Sequence, residues 1–454
     1  MLAIRYADAA PGATGTREET MENEADLLAA AGRYSFGGRM DGKDGPKGPV
    51  FVSGRGSEVE DVNGKHYLDF NSGQMCAALG HNHPTITAAI KTACDTLIHA
   101  HSSHFNVQEI RLAERLAGVM PGGLAKSLFM QSGSEANEAA VAIARRYTGG
   151  HEVMSPHVSF HGMSDGARSL TFAGWRSGAD GMPGGSYAMI APYCYRCPLR
   201  QSFPGCNYAC LDASFELLDA QSTGRPAGVL TEPLFSAGGV IEPPPGWLRR
   251  LQELCRERSM LLILDEEQTG LGKLGTMFAC EAEGVTPDMI TVAKHFGGGV
   301  GISAVSTTAE IEATVIERGY TVTHSHSNDP LACAAGVASL DVIEGENVPA
   351  KAAALGSYFK AHLTALAQRW EQIGDVRGRG LLLGVELVED RHAKKPAFDL
   401  GRKVHRYCFE KGLIFSLRRD GSVLRFVPPA TTTEAQLDRA AALLDEAIGA
   451  SVNK

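Results

Sequence analysis

Residues 261–301 read LLILDEEQTGLGKLGTMFACEAEGVTPDMITVAKHFGGGVG. Two apolar runs stand out in it, 261–264 and 289–292. Both are too short for helices and neither alternates with polar residues. Each therefore predicts a strand buried on both faces, as in a parallel sheet covered by helices. The first run ends in Asp265. The second ends, after one alanine, in Lys294, ahead of a glycine run from Gly297. Open α/β sheets bind ligands at the carboxyl ends of their strands, so an acid and a lysine are expected to share one site. A buried carboxylate needs a cationic partner, and a desolvated lysine amine is a good nucleophile. Together they suit a cofactor with an aldehyde and a ring nitrogen. Lys294 would hold the aldehyde as a Schiff base, and Asp265 would keep the nitrogen protonated and the ring an electron sink. On its own, Lys294 reads more readily as a solvated charge at a strand end.

A second junction lies at Ser132-Gly133-Ser134-Glu135-Ala136-Asn137-Glu138, between an expected strand at 126–130 and an expected helix at 136–147. Amides at a helix N-terminus, with two hydroxyls, make a phosphate site. A serine with an acid three residues on is also a capping arrangement, and both readings stand. Helical patterns cover 84–97, 107–119 (stopped by Pro121), 246–258 and 330–340. A hairpin is expected between 50–52 and 65–68 across Asn63-Gly64. A strand is expected at 229–232, and residues 175–211 read as an irregular insertion rich in Gly, Pro and Cys. The last hundred or so residues alternate strands (381–387, 424–427) with a helix (400–411). The expected organisation is a loose segment at 1–25, a large domain at 76–335, and a smaller α/β domain from 26–75 and 336–454.

At 454 residues, with 44% hydrophobic and 21% charged, the chain has material for a large core. A net charge of −9 offers no general attraction to nucleic acid or acidic membranes. No apolar run approaches the roughly 18 residues of a membrane span. Asp8 and Pro11 interrupt any signal-peptide core, so a cytoplasmic location is expected. The ten cysteines are too few for a disulfide scaffold. Four of them, Cys194, Cys197, Cys206 and Cys210, form C-x2-C-x8-C-x3-C, which suits zinc or an iron–sulfur cluster and equally suits reduced thiols in a loop. His81 and His83 are expected to cap a helix starting at Pro84.

The motifs SGSEANEAA, Phe160-His161-Gly162, Glu232-Pro233, LDEEQTGLGKLG and Lys294 before GGG occur in that order. Their order and spacing resemble the class III aminotransferases, pyridoxal-phosphate enzymes of fold type I, from about residue 50 to the end. The strings LDFNSGQM, GHNHP, FHGM, GTMFAC, GVTPD, GDVRGRGLLLGVE and RFVPP are most similar to the 2,2-dialkylglycine decarboxylase branch. The resemblance implies a large domain with a mainly parallel seven-stranded sheet, a smaller α/β domain, and a homodimer with sites at its interface. It implies that Ser132, Gly133 and Ser134 cradle the phosphate of pyridoxal 5′-phosphate and that Phe160 stacks on its ring. Asp265 would pair with the ring nitrogen, Gln268 with the ring oxygen, and Lys294 with the aldehyde. Ser325 stands where the family usually has threonine, reaching the phosphate from the neighbouring subunit.

The same resemblance gives Arg425 the grip on the substrate carboxylate, a task suited to a guanidinium, and places Gln74 in contact with it. A strand-end arginine and a loop amide are the plainer readings. It further implies a monovalent cation at the interface near Ser102, Ser325 and Asp329, although an Asp before proline also suits a helix cap. The expected activity is amino transfer from an amino acid or amine to a keto acid, with or without decarboxylation of a dialkylglycine. An ammonia-lyase or epimerase on the same scaffold is the alternative. A non-catalytic scaffold binding metal through the cysteines is the alternative of another class.

Overall fold

The structure, a computed structural model, describes residues 23–36, 47–174 and 181–452. Residues 1–22 of the expected loose segment lie outside the described residues. A helix at Glu24–Tyr34 precedes three antiparallel strands, β1 (Phe51–Arg55), β2 (Glu58–Asp61) and β3 (His66–Asp69). The Asn63-Gly64 turn joins β2 to β3, so the hairpin partner is the acidic β2 and not the expected 50–52 run. The sequence Glu-Val-Glu-Asp hid it. Its inward residues are Val59 and Asp61, and Asp61 tolerates burial by accepting bonds from the Asn63 amide (2.9 Å), the Lys65 amide (3.0 Å) and the Tyr67 hydroxyl (3.0 Å).

The central sheet has seven strands: β4 (Lys126–Met130), β5 (Glu152–Pro156), β6 (Ser186–Met189), β7 (Pro226–Thr231), β8 (Leu261–Asp265), β9 (Met289–Val292) and β10 (Ser303–Thr307). Their spatial order is β4-β10-β9-β8-β7-β5-β6. Strands β5 to β9 run parallel, and β10 is antiparallel to both its neighbours. This is the mainly parallel α/β sheet of fold type I. The two apolar runs are β8 and β9, and every residue in them is buried. Leu261, Ile263 and Met289 pack on the side of the helix Gly133–Thr148, with Ala136, Ala140 and Ile143. Leu262, Leu264, Ile290 and Val292 pack on the other face, with Trp247, Leu251 and Phe296. Two covered faces explain why neither run alternates. The expected irregular insertion at 175–211 contains β6, an edge strand. Residues 175–180 of it lie outside the described residues. The sequence Ser-Tyr-Ala-Met has only Met189 fully buried, too little apolar signal to mark a strand.

Six further strands follow: β11 (Ile373–Arg379), β12 (Leu382–Asp390), β13 (Lys395–Pro396), β14 (Leu413–Ile414), β15 (Ser416–Arg418) and β16 (Val423–Phe426). An antiparallel sheet runs β11-β12-β16-β15 with β13 beside β12, while β14 joins the N-terminal sheet through a parallel pairing with β3. Glu386 on β12 ties this region to the segment between β6 and β7. Its carboxylate takes Arg377 Nη1 at 2.6 Å, the Arg196 guanidinium and the Tyr193 hydroxyl. Arg377 also donates to the Gly239 carbonyl at 2.6 Å. Replacing Glu386 with alanine leaves Arg196 without its carboxylate and Arg377 with Asp375 alone, and should cost about 3 kcal/mol. Denaturant unfolding checks this, and a loss below roughly 1 kcal/mol would rule out a stabilising network.

Candidate active site

Asp265 ends β8 opposite Thr291 of β9, and Lys294 leaves β9 three residues further on, so the two stand at neighbouring strand tips. Asp265 is 3% exposed. Its Oδ2 accepts from His161 Nδ1 at 2.8 Å and Asn137 Nδ2 at 2.9 Å, and its Oδ1 from the Glu267 amide at 3.1 Å. Burial pushes this carboxyl up, but His161, Lys294 and Asn137 outweigh it and hold the group below the usual carboxylate range. Asp265 is therefore ionised in a nearly dry site.

Lys294 has φ +59°, a left-handed conformation that costs a side-chain-bearing residue about 1–2 kcal/mol. Such strain collects at functional positions. Its Nζ donates to Glu267 Oε2 at 2.8 Å. Burial lowers its pKa, yet Glu267 and Asp265 reverse that and leave it raised. Asn137 links the acids, donating also to Glu267 Oε1 at 3.1 Å, and is itself oriented by Thr291 Oγ1 at 2.8 Å.

The helix Gly133–Thr148 begins beside them. Ser132 caps it: its Oγ accepts from the Glu135 amide at 3.4 Å, and Glu135 Oε2 takes the Ser132 amide and hydroxyl at 2.7 Å each. Capping thus engages Ser132 and leaves the first-turn amides of Gly133 and Ser134 directed out of the helix start, where an anion is favoured. The loop carrying Phe160 closes on that start. A Cβ on Gly162 (φ +134°) would fall 2.2 Å from Ser134 Oγ, so only glycine lets the two backbones approach. Ser134 Oγ accepts from the Met163 amide at 3.2 Å. The Phe160 amide donates to Glu232 Oε1 at 3.0 Å, just past β7. Burial, then Asp265, raises that carboxyl to about 8.

Arg425 of β16 is fully buried. Its guanidinium donates to Ser416 Oγ (3.0 Å), Ser236 Oγ (3.0 Å), Gln268 Oε1 (3.3 Å) and Asn71 Oδ1 (3.4 Å). These partners are all neutral. Asn71 donates in turn to Gln74 Oε1 at 3.4 Å, so Gln74, Asn71, Arg425 and Gln268 form one chain, with Gln74 at its exposed end. Lys273, also buried, is pushed down to about 7 by burial and then by Lys294, with Arg425 adding to the repulsion.

The expected metal positions turn out differently. Asp329 stands at the N-cap of the helix Pro330–Gly345, but its carboxylate makes no cap bond. It accepts instead from His99 Nδ1 and His326 Nδ1, both at 2.6 Å. Its two oxygens are thus already engaged, and neither Ser102 nor Ser325 bonds to it among the described contacts. Ser325 and His324 are exposed. Among the described residues, the group of three metal-ligating side chains gathered within 4.8 Å is His99, His326 and Asp329. Cys194, Cys197, Cys206 and Cys210 line one small cavity as free thiols, but their sulfurs are not drawn to that spacing. Zinc would need them about 3.8 Å apart. The expected histidine caps are corrected too. His83 occupies the N-cap of the helix Pro84–Thr96 without a side-chain cap bond and pairs with Glu346 at 3.0 Å, while His81 pairs with Asp69 at 2.8 Å.

Residues 43–448 match the model of the class-III aminotransferase family. The chain belongs to the class-III aminotransferases. Over 414 residues, this aminotransferase is 39% identical to an uncharacterized aminotransferase of Schizosaccharomyces pombe, covering 90% of this chain and 92% of the relative. It is 36% identical to a leucine/methionine racemase of Thermococcus litoralis, covering 95% of each. Among solved structures it resembles the PMP-bound aminotransferase of Vibrio fluvialis, with a TM-score of 0.87, 25% identity, and 94% and 98% of the two chains covered.

Class-III aminotransferases use pyridoxal 5′-phosphate, and the donor set of this aminotransferase fits it. A helix start closed by a glycine-only approach suits the phosphate, a buried ionised carboxylate suits a pyridinium, and a strained lysine lies beside both. Three buried residues here escaped the sequence reading: Asn137, His161 and Glu267. Asn137 falls one helical turn after Gly133, on the same face, and that spacing could have revealed it. His161 and Glu267 sit inside the very motifs that carried the resemblance.

Proposed function

We propose that this enzyme moves an amino group from a carboxylate-bearing amino acid or amine to a keto acid, with Lys294 binding the aldehyde of pyridoxal 5′-phosphate. The observation that carries this reading is Arg425, a buried guanidinium whose hydrogen-bond partners are all neutral. A charge so placed is costly until an anion arrives, and a substrate carboxylate supplies one in bidentate geometry. When bound, the cofactor would supply an electron sink for the substrate carbon. Asp265 would keep its ring nitrogen charged, Gly133 and Ser134 would hold its phosphate, Phe160 would cover the ring, Gln268 would meet its oxygen, and the Lys294 amine would move the proton.

Which bond breaks depends on which group stands perpendicular to the ring. Decarboxylation-dependent transfer is supported by Gln74, which Asn71 joins to Arg425 through hydrogen bonds. A second reading, racemisation, is supported by the 36% identical racemase. A homodimer, with Ser325 reaching the neighbour's phosphate, is supported by exposed Leu97, Ile98, Phe105, Val107 and Ile110 along residues 97–110. Light scattering in solution tests it, and a monomer refutes it.

The functional test is a panel of amino donors, 2-aminoisobutyrate included, against pyruvate and 2-oxoglutarate. Consumption of the keto acid supports transfer. Carbon dioxide release from 2-aminoisobutyrate marks the decarboxylating form. Loss of optical activity with no acceptor consumed moves the assignment to a racemase, and ammonia release without an acceptor moves it to a lyase.

A further inference from the structure

Glu267 touches the amine around which the site is built, and no role described so far uses it. The residue is 7% exposed. Its Oε2 lies 2.8 Å from Lys294 Nζ and its Oε1 3.1 Å from Asn137 Nδ2. The helix start closes the third side: a Cβ on Gly133 would fall 1.9 Å from Oε2. The backbone is pinned as well, since the Glu267 amide donates to Asp265 Oδ1 at 3.1 Å. The ionisable groups acting on the pair are Asp265 from the end of β8, Cys76 from the loop ahead of Pro84, the buried Lys273, Glu232 just past β7, and His295 next to Lys294. Asp265 spends its Oδ2 on His161 and Asn137. Glu267 is thus the carboxylate in direct contact with Lys294.

We propose that Glu267 is the counter-ion of Lys294 and holds the proton on Nζ, both when the amine is free and when its nitrogen is bound to the aldehyde carbon. The proposal rests on Lys294 being the cofactor-binding amine. A carboxylate in contact with a buried nitrogen favours that nitrogen's charged form, and burial spares the pair from screening by salt. A protonated nitrogen makes the attached carbon a better target for an incoming amino group. The carboxylate is affected in return. Burial, then Asp265, lifts it to about 7, with Lys294 opposing. The pair therefore exchanges its protons as a unit, and its titration sets how readily the site accepts a cofactor or a substrate amine.

The test is Glu267→Gln, which keeps the shape and one acceptor but removes the charge. In cofactor-free protein, the pH profile of Lys294 acylation is read by peptide mass spectrometry against exposed lysines as internal standards. The wild-type midpoint should lie at or above theirs. The variant's should lie at least one unit lower, giving about tenfold more labelling at any pH below the midpoint. In protein loaded with pyridoxal 5′-phosphate, the midpoint of the pH-dependent absorbance should fall in the same direction. Unchanged midpoints in both states overturn the proposal. If Glu267→Gln does not fold, the wild-type profile still decides: a Lys294 midpoint below that of exposed lysines overturns it. A protein that forms no absorbance band with the cofactor refutes the functional reading instead, and the labelling of the cofactor-free protein then judges the ion pair separately.

Discussion

Asp265→Ala is expected to lower activity on the order of 10³-fold or more, because on the proposed function the site loses the carboxylate that would pair with the ring nitrogen. The same substitution should cost about 3–5 kcal/mol of stability, since His161 and Asn137 lose a buried ionised acceptor. The two effects separate experimentally: unfolding of the cofactor-free protein reads the second without the first. The pH dependence has a definite sign. The folded pKa of Asp265 lies below its ordinary value of 3.8. Its contribution is therefore fully present above that value and is lost as pH falls through the lower, folded one. The wild type should accordingly lose stability at acid pH, while Asp265→Ala lacks that part of the loss. Equal stability of the two proteins at neutral pH would contradict the account.

Arg425→Met should move stability and activity in opposite directions. A buried guanidinium among neutral acceptors is a cost to the free enzyme, and a hydrophobic side chain of similar volume is often neutral or stabilising by about 1–4 kcal/mol. The substrate carboxylate, by contrast, loses its partner. A fall in kcat/KM of roughly 10²- to 10³-fold is expected, carried mainly by KM. Amines without a carboxylate should be affected far less. A variant that melts earlier and keeps its KM would show that Arg425 is a structural residue.

The cofactor side of the site was legible in the sequence because its chemistry coincides with its fold. Asp265 and Lys294 sit at the tips of β8 and β9, and buried parallel strands announce themselves as apolar runs. The helix at Gly133 announced itself through a capping box that the structure contains. Polar strands were harder to see. In β2 and β11 the inward positions include Asp61, Gly378 and a buried Arg377, and hydrogen bonding there replaces the apolar signal that periodicity relies on. Contacts between side chains distant in sequence were not legible at all. Asp329, expected as a cation ligand or a helix cap, does hold the N-cap position, but its carboxylate is the shared acceptor of His99 and His326, 230 and 3 residues away from it. Glu267 was hidden in plain view. One acidic residue in a run of acids carries no mark of where it points, and only the fold brings it against Lys294.

The central claim is that Lys294, and no other amine of the site, binds the cofactor. Lys273 is the demanding control, being buried, close by and pushed down to about 7, which makes it the easier nucleophile on titration alone. Protein loaded with pyridoxal 5′-phosphate, reduced with borohydride and digested, should carry the added mass on the peptide containing Lys294, and Lys294→Ala should carry none. Label on Lys273, or label that survives in Lys294→Ala, would contradict the account.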